Sequence, residues 1–268
     1  MSPNEQQAAH LAQTFRHDHS LGTSPIKDVF ELVHATTGVD VFSIDAAEEE
    51  HGLTMLDPHT GRRVIVVATT AHPMRQRSCV AHELGHLLRG DLETTEQASP
   101  GERGPAEICA DAFARHLLLP LDALPAHRAP TGEVSLAALS DLVQTYEVSP
   151  AIAAIQLRTA TLIDEAICQD WMRCSARSLA LRFGWLNQYD SLSRTSRRPR
   201  APQTLMKRAV AAYKDGVLGI AELANWYGAS EDDLRAELGE PDPAPSILDD
   251  TWDLDAPLFP DADGRPGS

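Results

Sequence analysis

The chain has 268 residues, a formal net charge of −16 and 43% hydrophobic residues, enough for one large domain or two modest ones. The acidity argues against non-specific nucleic-acid binding, because phosphate repels it. No stretch approaches the roughly 18 consecutive apolar residues of a membrane span, and the polar start MSPNEQQAAHLAQ lacks the pattern of a signal peptide, so the expected location is the cytoplasm.

Four cysteines, Cys79, Cys109, Cys168 and Cys174, form no CxxC pair, and a chain of this size needs no disulfide staples, so they are expected as reduced thiols. From Pro241 onward there are seven acids and one base, which puts −6 of the −16 in the last segment.

In chain order, residues 5–17 and 25–37 read as helices. In the second, Ile26, Val29, Phe30 and Val33 recur at helical spacing after Pro25 at a first-turn position. GVDVFSI reads as a strand. GLTMLDPHTGRRVIVVAT reads as a hairpin turning at Asp57-Pro58-His59-Thr60-Gly61. A small sheet therefore precedes the segment VAHELGHLLRGD, residues 80–91, a helix that Ser78 can cap and Gly90 can stop. After the loop ETTEQASPGERGP, Pro105 opens the helix AEICADAFARHLLL, which Pro120 ends. Another loop runs to about Glu133.

Beyond Ser135 the pattern is helical to about Tyr189. SLSRTSRRPRAP reads as a linker, and further short helices run to Glu240. The proline- and aspartate-rich segment 241–268 is expected to be disordered. Leu142-x-x-x-Tyr146-x-x-Ser149 is echoed by Leu223-x-x-x-Tyr227-x-x-Ser230, each joining two short helices through a tight turn, as in a helix-turn-helix. The organisation read from the sequence is a core of residues 1–133, a helical extension 134–189, a linker 190–203, a small helical region 204–240 and the acidic tail 241–268.

The chemistry is concentrated between residues 82 and 111. On a helix, positions four apart share a face, so His82 and His86 point the same way and can bind one zinc ion. Glu83 is rotated by about 100° from His82, within reach of a water at the metal but poorly placed as a ligand. This is the mechanics of the HExxH motif. Val80, Ala81, Leu84, Leu87 and Leu88 let the helix be buried beside a metal, and buried polar groups are costly without a partner. The bland alternative is a surface helix that carries two histidines.

A catalytic zinc needs a third protein ligand. Glu107 and Asp111, again four apart, stand on an otherwise apolar helix with Ala106, Ile108, Ala110, Phe113 and Ala114. Glu107 completes a His, His, Glu ligand set. Asp111, one turn along, is placed to accept a hydrogen bond from the far nitrogen of His82. The alternative is that both carboxylates form surface ion pairs with Arg103 or Arg115.

AHELGHLLRGD followed by EICADAFARHLLLP resembles the ImmA/IrrE-type zinc metallopeptidases, in which an AHExxH helix is followed by a Glu-x-x-Ala-Asn/Asp-x-Phe-Ala helix ending in Leu-Leu-x-Pro. The resemblance covers roughly residues 8–160. It implies His82, His86 and Glu107 as Zn2+ ligands and Glu83 as catalytic base, matching the assignment from spacing. Asp111 stands where asparagine is frequent in the family. The implied fold class is α+β, a zincin-like catalytic domain with a small sheet and an HExxH helix, followed by a mainly helical C-terminal part.

The implied activity is peptide-bond hydrolysis, with a helix-turn-helix transcriptional repressor of a stress-response or mobile-element pathway as protein substrate. RRVIVVAT offers an edge for an extended peptide. His51, His72, His116, His127 and Tyr146 are candidate oxyanion donors among which the sequence does not choose.

Cys79 and Cys109 flank the two motifs and read as small buried residues rather than extra ligands. Arg194, Arg197, Arg198 and Arg200 form the dense basic run, expected as a solvated linker. Trp171, Trp185 and Trp226 read as helix-packing residues. Two rival readings stand beside the peptidase: a zinc protein that sequesters its partner without cutting it, and a DNA-binding regulator with a structural metal.

Overall fold

The computed structural model of the chain describes residues 2–46, 52–56, 63–91, 104–127 and 134–242. Helix α1 (Pro3–Asp18) begins where Ser2 accepts the backbone N–H of Glu5 and Pro3 takes the first turn, the position where a missing N–H costs nothing. Ala8, Ala12 and Phe15 form its buried stripe. Helix α2 (Val29–Thr37) is capped by Asp28, which accepts from Phe30 and Glu31. It starts four residues later than the proline at position 25 suggests, because the carboxylate at Asp28 supplies the cap.

Strands β1 (Asp40–Ile44), β2 (Gly52–Leu56) and β3 (Arg63–Ala68) form a sheet of order β1-β3-β2. β1 is parallel to β3 and β2 is antiparallel to it. The register pairs Thr54 with Ile65 and Gly52 with Val67, while Val41 and Ser43 of β1 also oppose Ile65 and Val67. These residues therefore share one face, and Val41, Ser43, Ile65 and Val67 on it are buried. Leu53 and Met55, on the other face of β2, are exposed. β3 is thus the central strand and offers no edge; the expectation for RRVIVVAT is corrected. β2 is an outer strand, and β1 carries an antiparallel bridge from Ser43 to Arg200 on its far side. The expected hairpin turn at 57–61 lies outside the described residues.

Helix α3 (Pro73–Arg89) carries the two histidines. It starts at Pro73 after His72, not at Ser78, whose hydroxyl instead donates back to the Met74 carbonyl within the helix. Gly90 ends it in the left-handed region at φ 69°, a conformation glycine adopts without steric cost. Helix α4 (Pro105–Leu118) opens at Pro105 and packs on both α1 and α3. A 3-10 segment, Leu121–His127, occupies part of the stretch expected as loop.

Helices α5 (Leu136–Tyr146), α6 (Pro150–Thr159), α7 (Glu165–Met172), α8 (Ala176–Phe183) and α9 (Leu186–Ser196) follow. Their buried Leu139, Leu142, Leu157, Leu179 and Trp185 belong to one apolar core with Phe113, Leu84 and Val80, each large side chain contributing about 1.5–3 kcal/mol by burial. The helices of residues 134–189 therefore share a core with the N-terminal elements instead of standing apart.

Two compact units divide the chain, Met1–Leu205 and Met206–Ser268. Residues 190–203, expected as a linker, lie in the first. Residues 186–196 continue as α9, and Ser193 and Ser196 are buried, donating to the carbonyls of Ala71 and Thr70. Arg200 pairs with Asp28 at 2.9 Å and lies over the Phe30 ring at 4.7 Å, while Arg194, Arg197 and Arg198 are exposed.

Helix α10 (Gln203–Lys214) crosses the division. The second unit holds α11 (Ile220–Tyr227) and α12 (Glu231–Leu238), with Tyr213 and Leu223 buried. Trp226 is 44% exposed and is not a packing residue. The two sequence echoes have one backbone form: a left-handed residue follows each tyrosine, Glu147 at φ 51° and Gly228 at φ 61°, and Ser149 or Ser230 then caps the next helix. The acidic segment beyond Asp242 lies outside the described residues.

Candidate metal centre

Glycine at position 85 sets how closely the two motif helices approach. A Cβ there would meet Phe113 Cδ1 at 3.0 Å and the Ala110 Cα at 3.3 Å. With only hydrogen at that point, α3 and α4 close up, and Glu107, one turn before Ala110, comes beside the histidines.

His82 Nε2 and His86 Nε2 are 3.0 Å apart. Glu107 Oε2 lies 3.2 Å from the first and Oε1 3.3 Å from the second. The three residues form a group whose donor atoms all fall within 4.8 Å of one another, so they could hold one divalent ion. Behind the rings, His82 Nδ1 is 2.9 Å from Asp111 Oδ1 and His86 Nδ1 is 2.9 Å from Asp91 Oδ1. A carboxylate behind each ring makes Nδ1–H the donor and leaves Nε2 as an acceptor. Two acceptor nitrogens facing each other at 3.0 Å repel unless a cation lies between them, so this donor set fits a metal ion.

Burial of His82 pushes its pKa down, but the hydrogen bond from its ring to Asp111 and the charges of Asp111, Glu107 and Glu83 outweigh this and raise it. Cys79, three residues before His82, is pushed up to about 11 by burial, and it is not one of the three residues of the donor group. All four cysteines are free.

Glu83 is buried and does not join the donor group. Its Oε2 accepts a 2.6 Å hydrogen bond from the Thr54 hydroxyl on β2. His82, Glu83, His86, Asp91, Glu107 and Asp111 line an open cleft of about 620 Å³ together with Gly52, Leu53, Thr54 and Arg75. Arg115 does not pair with the site carboxylates as the ion-pair alternative supposed; it binds Glu5 at 2.6 Å.

The expected oxyanion donors do not gather at this cleft. His116 is buried between Glu5 and Gln156. The Tyr146 hydroxyl donates to the Thr23 carbonyl. His72 is an exposed residue before α3. None of the three lines the cleft, and His51 and the His127 side chain lie outside the described residues. Asp91, Thr54 and Arg75 were not found by sequence reasoning. For Asp91 a signal existed: an acid directly after the helix-stopping Gly90, five residues past His86 of the HExxH motif.

Among the described residues, no helix is long and apolar enough to cross a membrane. The sequence model of the IrrE N-terminal-like domain, the Peptidase_M78 family, matches residues 35–158. A radiation response metalloprotease IrrE of Deinococcus deserti is 30% identical over 155 residues, 54% of this chain and 52% of that protein, so the chain spans about half the length of this curated relative. The matched segment runs from the end of α2 to α6 and contains both motif helices. Residues 35–158 are thus similar in sequence to the IrrE N-terminal-like domain.

Proposed function

We propose that the chain is a zinc-dependent peptidase that hydrolyses a peptide bond in a protein substrate, with His82, His86 and Glu107 as zinc ligands, Glu83 as catalytic base and Asp111 orienting His82. The observation that carries this reading is the spacing of the donors. A tetrahedral zinc with ligands at about 2.0–2.1 Å has donors separated by about 3.3 Å; the two imidazole Nε2 atoms are 3.0 Å apart, and the Glu107 carboxylate lies 3.2 Å from one through Oε2 and 3.3 Å from the other through Oε1. Two imidazoles and one carboxylate are also the ligand types of catalytic zinc, with one position left for water.

Bound there, zinc supplies a Lewis acid for the substrate carbonyl and makes water acidic enough to attack near neutral pH. The chain's own residues do the rest. Asp111 and Asp91 hold the two rings with Nε2 turned toward Glu107. Glu83, adjacent in sequence to His82 but off the ligand face, takes the proton of the attacking water and returns it to the leaving amine. An extended peptide lies along β2, the outer strand that lines the cleft, where backbone hydrogen bonds are sequence-tolerant. The proposed ligands and base all lie within residues 1–133, inside the compact unit Met1–Leu205, and the four free thiols suit a reducing, cytoplasmic setting.

The substrate class proposed is a helix-turn-helix transcription regulator. This rests on the family resemblance and on a relative described as a radiation response metalloprotease, not on a residue of the cleft. The test is to incubate the zinc-loaded wild type and Glu83→Gln with the regulator encoded beside it. The reading expects a discrete fragment with wild type and none with Glu83→Gln, at equal zinc content. No fragment, with the regulator bound equally by both proteins, favours sequestration without proteolysis.

A further inference from the structure

We propose that Thr54 is a positioning residue for Glu83, and that Gly52 is its companion, keeping clear the space the carboxylate occupies; the catalytic part of this inference rests on the peptidase reading above. The two residues stand on the same face of β2, two positions apart, opposite Val67 and Ile65 of β3. The Thr54 hydroxyl donates to Glu83 Oε2 at 2.6 Å. At Gly52 an added Cβ would meet Glu83 Oε1 at 3.0 Å and Cγ at 3.3 Å, tight enough that the glutamate would have to give by a few tenths of an ångström. One carboxylate oxygen is therefore tied to β2 and the other fills the space a side chain would take.

A glutamate side chain has three rotatable bonds and is not held by the helix that bears it. Glu83 is buried with the edge strand over it, and its described contacts there are with residues 52 and 54. The same strand borders the cleft on which a peptide would lie. The base is thus referenced to the substrate-binding strand rather than only to the metal-binding helix. A displacement of about 1 Å at a reacting group can cost up to about 100-fold in rate, so loss of this tether is expected to appear in turnover.

The experiment compares Thr54→Val, which keeps the shape and removes the donor, with Thr54→Ser, which restores the donor, and Gly52→Ala, which crowds the carboxylate from the other side. Crystal structures of the metal-free variants give the Glu83 side-chain position. Casein cleavage by the zinc-loaded proteins gives kcat and KM, and a chelator competition gives zinc affinity. Thr54→Val and Gly52→Ala are expected to move Glu83 off β2 and to lower kcat about tenfold, with KM and zinc affinity within about twofold; Thr54→Ser recovers most of the loss. Glu83 unmoved in Thr54→Val, or kcat unchanged, or Thr54→Ser as impaired as Thr54→Val, overturns the proposal. If wild type does not cut casein or any other protein offered, the peptidase reading fails, and the Glu83 position in the three variants still decides whether Thr54 and Gly52 hold it.

Discussion

Gly85 and Phe113 meet where helices α3 and α4 pack together: a Cβ at residue 85 would lie 3.0 Å from the Phe113 ring. The contact couples core packing to the site, since Phe113 is fully buried and Gly85 sits between Glu83 and His86. Gly85→Val forces α3 and α4 apart. Overpacking of this kind costs about 1–3 kcal/mol, so chemical denaturation is expected to show that loss. Separating Glu107 from the histidines also weakens zinc binding at least tenfold. A variant with wild-type stability and affinity would mean that the helices are not in contact at this glycine.

Both ring nitrogens facing away from the centre have a carboxylate at 2.9 Å, Asp111 for His82 and Asp91 for His86. Partners of this kind typically alter metal affinity by about 10–100-fold. Asp111→Asn and Asp91→Asn are each expected to weaken zinc by about tenfold in competition with a chromophoric chelator, while the folded chain persists. The two substitutions act on different ligands of one ion, so the double variant is expected to be weaker than either single one. Equal affinity in all forms would mean that the ring orientation is fixed by packing alone.

A partly buried polar cluster away from the cleft ties α1 to α4 and α6. Glu5 meets His116 Nε2 at 2.8 Å and Arg115 at 2.6 Å, and Gln156 approaches His116 Nδ1 at 3.2 Å. The hydrogen bond from His116 and the charges of Arg115 and His116 outweigh burial and hold the Glu5 carboxyl below its ordinary pKa. A carboxylate whose pKa is depressed by folding stabilises the fold above its unfolded pKa. That stability is lost as pH falls through the folded value. Glu5→Gln is therefore expected to cost about 1–3 kcal/mol near pH 7. Its deficit relative to wild type shrinks as pH falls below about 4.3, the ordinary glutamate value. Urea titrations of both proteins across pH 3–7 check this; a deficit independent of pH would contradict it.

What could be read from the sequence follows from local periodicity. His82 and His86, and Glu107 and Asp111, are each four apart on a helix, so a helix assignment already fixes their common direction. Pro105 and Gly90 similarly mark a helix start and stop by local backbone chemistry. The missed features are non-local. Strand order placed RRVIVVAT in the centre of the sheet, and alternation of side chains says nothing about order. Thr54 reaches Glu83 across 29 positions through strand register. Asp91 depends on how the chain leaves the Gly90 turn. Residues 190–203 look like linker by composition, yet Ser193 and Ser196 are buried, donating to carbonyls more than 120 residues earlier.

The central claim is that two imidazoles of α3 and the Glu107 carboxylate of α4 grip one zinc ion. X-ray absorption and anomalous diffraction at the zinc edge, on protein loaded with one equivalent and compared with Glu107→Ala, test this most directly. The expected result is one ion per chain within about 2.0–2.2 Å of His82 Nε2, His86 Nε2 and a Glu107 oxygen, and loss of that ion or of its oxygen ligand in Glu107→Ala. An ion at another place, or none bound at stoichiometric zinc, would contradict the account.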